Sequence, residues 1–253
     1  MKHWSLVEYI IRTNGLENTT AASLLTIGGV LLCIIIPYLL GSLNFGVIIS
    51  RKKYRDDVRT HGSGNAGTTN MLRTYGAKAA ILTMAGDMLK AVIAVALGYL
   101  LIGAHAINAE GTKIVPVNEF GAAIAGFFVM MGHMFPIFFK FKGGKGVATS
   151  AMVVLMISPI SFIICTLIFI IIVVGTRFVS LGSVMGMIFY PIILNAFSGG
   201  QNPTASIMAV FMTLAVVFMH RENLKRLMTG TESKISFKKS KPADPQAQES
   251  KNK

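Results

Sequence analysis

Val147 to Val174 reads VATSAMVVLMISPISFIICTLIFIIIVV, and whether this apolar run crosses a bilayer once or twice decides the topology of the whole chain. Proline removes a backbone donor and pushes the preceding residue out of helix. Ser158-Pro159 therefore predicts a short helix over Val147 to Ile157 and a return helix over Pro159 to Gly175. A helix of that first length reaches only about 16 Å, short of the roughly 30 Å hydrocarbon core, so local thinning or a sunken loop has to absorb the difference. The alternative, a proline kink inside one long crossing, is a geometry that membrane helices tolerate. Charge decides between the two.

Outward from this run, further apolar segments cover Ser23 to Ser50, Ala79 to Gly103, Glu119 to Phe139, Ser180 to Phe197 and Thr204 to His220. Lys and Arg concentrate on the cytoplasmic side of membrane proteins. Here they cluster at Arg51, Lys52, Lys53, Arg55, Arg59, Arg73 and Lys78, at Lys140, Lys142 and Lys145, and from Arg221 to the end, whereas the stretch from Ala104 to Asn118 holds only Lys113. A single crossing at Val147 to Val174 would strand the basic tail outside. Two crossings give an all-α polytopic membrane protein with seven transmembrane helices, the N-terminus outside and the C-terminus cytoplasmic.

Composition agrees. The 253 residues are 53% hydrophobic and only 14% charged, against about 25% charged in soluble domains. The expected organisation is an extracytoplasmic leader over 1–22, one integral membrane domain over 23–230, and a polar basic tail over 231–253 without apolar periodicity. The leader carries Glu8, Arg12 and Glu17 and lacks the apolar core of a signal peptide. The formal charge of +13 suits anionic lipids or anionic substrates. Cys33 and Cys165 both lie in apolar runs, which excludes a disulfide scaffold and a cysteine-based zinc site.

Three polar, glycine-rich segments fall on one membrane face in this topology. The first, His61 to Asn70 (HGSGNAGTTN), is followed by Arg73. Gly62, Gly64 and Gly67 satisfy G-x-G-x-x-G, but the dinucleotide fingerprint needs a buried strand before it, and a charged stretch stands there. What survives is an anion nest: glycines that admit a ligand to the backbone, donors at Ser63, Asn65, Thr68, Thr69 and Asn70, and the guanidinium of Arg73. The second, Gly132 to Thr149, places Gly143, Gly144 and Gly146 around Lys145 before a short helix. It lacks the Walker spacing but forms a cationic cradle. Lys140 and Lys142 are accounted for as membrane anchors, and His133 as a capping or packing residue. The third, Met219 to Glu232, sets His220 and Asn223 three apart, on one face of a helix leaving the bilayer. Ser180 and Ser183, near Arg177, either line the same vestibule or bond their own helix. Asp87 and Lys90 are expected to neutralise each other inside the membrane.

The face that results suits a small phosphorylated molecule meeting a lipid. Carboxylates at metal-ligand spacing are missing from the motifs, so no metal and no cofactor are expected. The acyltransferase H-x4-D is absent from this face, and so is the aspartate-rich helix of CDP-alcohol phosphotransferases. An acyl transfer would then need an already activated donor. A transporter for a phosphorylated solute would use the same cradles, but no internal repeat relates the halves and the motifs avoid the midplane.

GSGNAGTTNMLR, GHMFPIFFKFKGGKGVAT and HRENLKRLMTGTE, in that order, make the chain resemble the bacterial acyl-phosphate:glycerol-3-phosphate acyltransferases (PlsY) from about Tyr38 to Glu232. The resemblance implies transfer of a fatty acyl group from acyl phosphate to the 1-hydroxyl of glycerol 3-phosphate, giving lysophosphatidic acid and phosphate at the cytoplasmic face of the bacterial inner membrane. It implies catalytic roles for Ser63, Arg73, Lys145, His220 and Asn223, with Gly62, Gly64, Asn65, Thr69, Asn70, Gly143, Gly144, Gly146, Arg177 and Ser183 binding substrate. The proton of the attacking hydroxyl passes to the substrate's own phosphate or to His220. Membrane lipids surround the chain, its basic face offers a contact to the soluble enzyme that forms acyl phosphate, and no nucleic acid partner is expected. Asn44 stands where the family often has proline, a change expected to alter a kink rather than chemistry.

Overall fold

The computed structural model describes residues 5–102, 104–107, 114–117, 119–199 and 202–235. Helix α1 (Leu6–Thr13) is amphipathic and leads into α2 (Thr20–Ser42) and α3 (Phe45–Tyr54). After the first glycine-rich loop come α4 (Thr68–Tyr75) and α5 (Ala77–Leu101). A two-stranded antiparallel hairpin, β1 (Ala104–Ile107) against β2 (Ile114–Val117), pairs Ala104 with Val117. Then follow α6 (Phe120–Met134), α7 (Val147–Ile157), α8 (Pro159–Thr176), α9 (Val179–Ser198), α10 (Pro203–Met219) and α11 (Arg221–Met228).

The molecule is an integral membrane helical bundle. Among the described residues five segments are long and apolar enough to cross a membrane, or six when α10 and α11, bent by 57°, count as one. The helix that the Ser158-Pro159 reading requires is present: α7 ends at Ile157, Ser158 caps α8, and Pro159 opens it. At 11 residues α7 is a short apolar helix. The hairpin departs from an all-α chain; it lies in the connection expected outside, while residues 108–113 and 118 of that connection, Lys113 among them, and the tail beyond 235 fall outside the described residues.

Two expected spans are interrupted, that from Glu119 to Phe139 because α6 already ends at Met134. The run from Ser23 to Ser50 breaks at Leu43, and Asn44 begins α3 by accepting from the Val47 N–H at 3.2 Å. The carbonyls freed by the break, Gly41 and Leu43, accept from Lys90 Nζ at 2.9 and 3.0 Å. The expected Asp87–Lys90 pair is there, at 2.8 Å, and His133 completes it, its Nδ1 3.0 Å from Lys90 Nζ and 3.4 Å from Asp87. Within the bundle a buried ion pair persists only with full partners, and this cluster ties α2, α5 and α6 together.

The main core is made by buried faces of α5, α6, α7, α9 and α10, among them Val95, Met130, Val153, Tyr190 and Met212. Where α5 crosses α6, a Cβ on Gly98 would stand 2.4 Å from the Gly121 carbonyl, and one on Gly121 2.3 Å from that of Gly98. Small residues at such crossings let backbones touch without side chains between them. The outward faces are apolar: Ile171 is 69% exposed, as a lipid-facing residue should be. A smaller core of Val47, Val58, Ala66, Met71 and Ala79 supports the first glycine-rich loop from beneath.

Candidate active site

At the end of the bundle where α4, α7, α9 and α11 begin lies a cavity of about 870 Å³. Its wall changes character with depth. Ser63, Thr69, Arg73, Lys145, Ser180, Ser183, His220 and Asn223 line the polar mouth, and Met84, Val154, Phe162, Cys165, Phe169 and Met187 line the part between helices, where the buried Asp87 and His133 also reach the wall. A headgroup and a hydrocarbon chain can share such a space.

None of the four helices that begin at the mouth has a side-chain cap. Gly67, Gly146, Phe178 and His220 precede α4, α7, α9 and α11 without one. At the far end, α2, α8 and α10 are capped by Thr19, Ser158 and Asn202, with α6, behind Glu119, the exception. An uncapped helix start leaves N–H donors and a partial positive charge for an anion.

The first loop is held by Asn70, which is 2% exposed. Its Nδ2 donates to the carbonyls of Val58, His61 and Asn65 at 2.9, 3.0 and 2.9 Å, and its Oδ1 accepts from the Ser63 N–H at 3.0 Å. Asn70, expected to bind substrate, lines the cavity while its amide is committed to shaping the loop. Gly62 sits at φ +54°, where a Cβ would come 2.3 Å from Asn70 Oδ1. Gly64 gives its N–H to the His61 carbonyl at 2.9 Å and does not line the cavity. Asn65 Oδ1 takes the Gly67 N–H at 2.9 Å. The Ser63 side chain, Thr69 and Arg73 face the cavity.

In the second loop only part of the expected cradle faces the ligand. The N–H groups of Gly143 and Gly144 donate to Met134 and His133 carbonyls at 3.2 and 3.1 Å, so they hang the loop on the end of α6 instead of meeting a phosphate. A Cβ on Gly144 would collide with His133 Nε2 at 2.1 Å. Lys145 and Gly146 reach the cavity. Burial lowers the Lys145 ammonium to about 8, with Glu232 opposing and Arg226 and Arg73 adding to that shift.

The third segment does not leave the bilayer as one helix. The chain bends at His220, which ends α10 and precedes α11, with Asn223 in the first turn of α11. The two residues still meet the same cavity. His220 Nδ1 lies 2.8 Å from the Val216 carbonyl, which fixes Nδ1 as the donor and leaves Nε2 an acceptor. Burial drives the imidazole down to about 4, the Val216 bond opposing, so it is neutral near pH 7. Asn223 Oδ1 accepts from Lys145 Nζ.

Glu232 had no assigned role, and it lies at the centre of this network. Its Oε1 accepts from Asn223 Nδ2 and Ser180 Oγ, each at 2.7 Å, and its Oε2 from Arg226 Nε at 2.8 Å. Burial raises its carboxyl, but these hydrogen bonds and the Arg226 charge hold it below the ordinary range. The available signal was an acid closing the third motif in an otherwise basic segment. Ser183 lines the cavity while bonding the Val179 carbonyl at 2.8 Å. Arg177 does not line it; this residue is exposed at the left-handed end of α8, and its carbonyl accepts from the Ile235 N–H at 2.9 Å. Among the described residues no three His, Cys, Asp or Glu side chains gather as metal ligands.

Comparison with known proteins matches this arrangement. The family model described as glycerol-3-phosphate acyltransferase covers residues 31–230. A glycerol-3-phosphate acyltransferase of Thermoanaerobacter pseudethanolicus is 42% identical over 204 residues, 81% of this chain and 94% of that protein. One of Bacillus subtilis is 40% identical over 206 residues, 81% and 97% of the two chains. The crystal structure of PlsY (YgiH), an integral membrane glycerol 3-phosphate acyltransferase, in its glycerol 3-phosphate form superposes with a TM-score of 0.69 at 35% identity, over 82% of this chain and 96% of that one. Its lysophosphatidic acid form gives 0.66 at 34%, over 82% and 95%. With three motifs around one cavity and a match running nearly the whole length of its relatives, the chain belongs to the glycerol-3-phosphate acyltransferase family.

Proposed function

We propose that the chain transfers a fatty acyl group from acyl phosphate to the 1-hydroxyl of glycerol 3-phosphate, forming lysophosphatidic acid and inorganic phosphate. The observation that carries this reading is the continuity of one cavity from a mouth of helix starts, Lys145 and Arg73 to an apolar interior. The hydroxyl oxygen attacks the acyl carbon, the bond from that carbon to the phosphate oxygen breaks, and phosphate leaves with the electron pair. Lys145 and the starts of α4 and α7 stabilise the charge that develops on the phosphate. Ser63 and Arg73 grip a phosphate group, and Asn223 and His220 orient the acceptor.

His220, neutral with its Nδ1–H committed, offers Nε2 as a hydrogen-bond acceptor to the attacking hydroxyl. At about 4 it is a weaker base than a phosphate monoester dianion, whose conjugate acid titrates near about 6. The hydroxyl proton therefore passes to substrate phosphate.

The same reading includes seven crossings with the N-terminus outside, α7 and α10 completing the count, and the cavity facing the cytoplasm of the bacterial inner membrane. The support is that Arg51, Lys52, Lys53, Lys140, Lys142 and the α11 cations border the cavity end of the bundle. The membrane unit over 23–230 gains Glu232 from the tail.

The test is phosphate release by purified protein given palmitoyl phosphate without added metal, with and without glycerol 3-phosphate, for wild type and Lys145→Ala. Release that requires glycerol 3-phosphate and collapses in the variant is expected. Folded wild-type protein that releases none would overturn the reading and bring the transporter forward.

A further inference from the structure

Lys140 and Phe141 stand side by side in the left-handed region, each at φ +57°. Neither is glycine, and left-handed backbone is unfavourable for residues with a Cβ. Two in succession persist only where the surroundings hold them. Their own side chains do not: Phe141 is 57% exposed, and no hydrogen bond or ion pair is made by the Lys140 ammonium among the described residues.

Within the loop the Phe141 N–H reaches the Pro136 carbonyl at 2.9 Å and the Lys142 N–H the Phe139 carbonyl at 3.3 Å; the side-chain restraint comes from the other loop. Arg59, in the 3₁₀ turn Val58–Thr60, donates from Nη1 to the Phe139 carbonyl and to the Lys142 carbonyl, both at 3.0 Å. These two carbonyls bracket the left-handed pair. The rest of the guanidinium is fixed by Asp57, with Nε 2.9 Å from Oδ1 and Nη2 2.7 Å from Oδ2. Asp57 is itself held by Arg51 at 3.0 Å. Immediately after Lys142 the chain hangs Gly143 and Gly144 on α6 and delivers Lys145 to Asn223. On its own side, the turn bearing Arg59 is stitched to the first glycine-rich loop through Asn70 and the Val58 carbonyl.

We propose that Arg59 is a positioning residue that locks Lys140 and Phe141 in the left-handed conformation, and so sets the register in which Lys145 enters the cavity and couples the first glycine-rich loop to the second. It touches no substrate and does not line the cavity. Its catalytic consequence rests on the acyltransferase reading above; its structural consequence does not. The requirement is for a fork. One planar guanidinium reaches a carboxylate and two carbonyls at once, whereas a lysine ammonium of the same charge cannot present donors in that plane.

The experiment compares Arg59→Ala, Arg59→Lys and Arg59→Ala combined with Lys140→Gly and Phe141→Gly, in detergent-purified full-length protein of matched thermal midpoint. Glycine adopts positive φ without penalty, so the glycine pair removes the need for a clamp. Both single variants are expected to lower kcat/KM on the order of tenfold to a hundredfold, the population cost of keeping two such residues left-handed. The triple variant should return to within about threefold of wild type, and the glycine pair alone should change little. Independently of turnover, amide exchange at Gly143 and Gly144 should quicken in Arg59→Ala.

Wild-type-like activity and exchange in Arg59→Ala would overturn the proposal. Full activity of Arg59→Lys, or no recovery in the triple variant, would also overturn it, because charge or substrate contact would then be at work. Wild type that is inactive while Arg59→Ala shows the faster exchange would refute the acyltransferase reading and leave the clamp standing.

Discussion

Replacing Asn70 with Asp changes neither the shape nor the size of the side chain, and it should nevertheless disable the site more thoroughly than Asn70→Ala. The buried amide meets three carbonyls on its nitrogen, at 2.9, 3.0 and 2.9 Å, and one N–H on its oxygen, at 3.0 Å. The two hydrogens on Nδ2 are shared among three carbonyls, so with the bond accepted from Ser63 about three hydrogen bonds at about 1 kcal/mol net each give roughly 3 kcal/mol of local loop order. Alanine forfeits these bonds, but it leaves a space into which water can follow and solvate the carbonyls. Ionised aspartate keeps the bond from Ser63 and turns its second oxygen on the same three carbonyl oxygens, so attraction becomes repulsion at hydrogen-bond distance. A loss of about 3 kcal/mol in the ordered loop corresponds to a fall of about a hundredfold or more in kcat/KM. The assay is glycerol 3-phosphate-dependent phosphate release together with amide exchange at Ser63, whose N–H is the one accepted by Asn70. Asn70→Asp with more than about a third of wild-type activity, or more active than Asn70→Ala, would refute the reasoning.

Because burial lowers Lys145 to about 8, its cation is present below that pH and lost above it, so kcat/KM should fall as pH rises through about 8; Lys145→Arg should remove this alkaline limb in a pH profile even at reduced activity. Glu232→Gln removes the neighbouring negative charge that opposes the lowering of Lys145 and replaces an acceptor of three hydrogen bonds with an amide, so turnover should drop about tenfold and the alkaline limb should move to lower pH. An unchanged limb would separate Glu232 from Lys145. Gly121→Val drives a Cβ to 2.3 Å from the Gly98 carbonyl and 2.6 Å from that of Ile102, and overpacking of this kind costs about 1–3 kcal/mol; the thermal midpoint should fall, while Gly28→Ala, with nothing within 4 Å, should leave it unchanged.

Helix boundaries were legible where they rest on short-range signals. Ser158-Pro159 ends one helix and starts the next within a residue, and the basic clusters gather at one end of the bundle. The break at His220 was not legible, since no proline or glycine stands at the bend, and at Asn44 a kink was expected but not the end of a helix; these breaks are not set by local signals alone. They depend on partners far away in the chain, such as Lys90, which satisfies the carbonyls of Gly41 and Leu43. The same distinction runs through the site. Glycine-rich spacing located both loops, and Lys145, Arg73, His220 and Asn223 do meet in one cavity. Spacing cannot say which amides point outward, however. Gly143 and Gly144 turn theirs toward α6, and Asn70 turns its side chain into its own loop, because the loops need internal hydrogen bonds before they can present any to a ligand. Glu232 escaped notice for a similar reason: its importance comes from Ser180, Asn223 and Arg226 converging on it, and only Arg226 and Asn223 are near in sequence.

Interrupted helices give this site its charge. A continuous membrane helix has no exposed backbone donors along its length, and each break creates a new end with polar groups that must find partners. Where the break at Leu43 exposes carbonyls, Lys90 answers them. Where α4, α7, α9 and α11 begin, no side chain caps the N–H groups. Four helix starts contribute roughly half a positive charge each, comparable to two cationic side chains but fixed in direction by the fold. In the proposed reaction a phosphate at the mouth would meet these helix starts together with Lys145 and Arg73. Glu232 meets side-chain donors there instead, from Ser180, Asn223 and Arg226. The loops that aim these helix starts therefore carry as much of the proposed chemistry as the charged residues do, which is why an uncharged residue such as Asn70 is expected to matter as much as a cation.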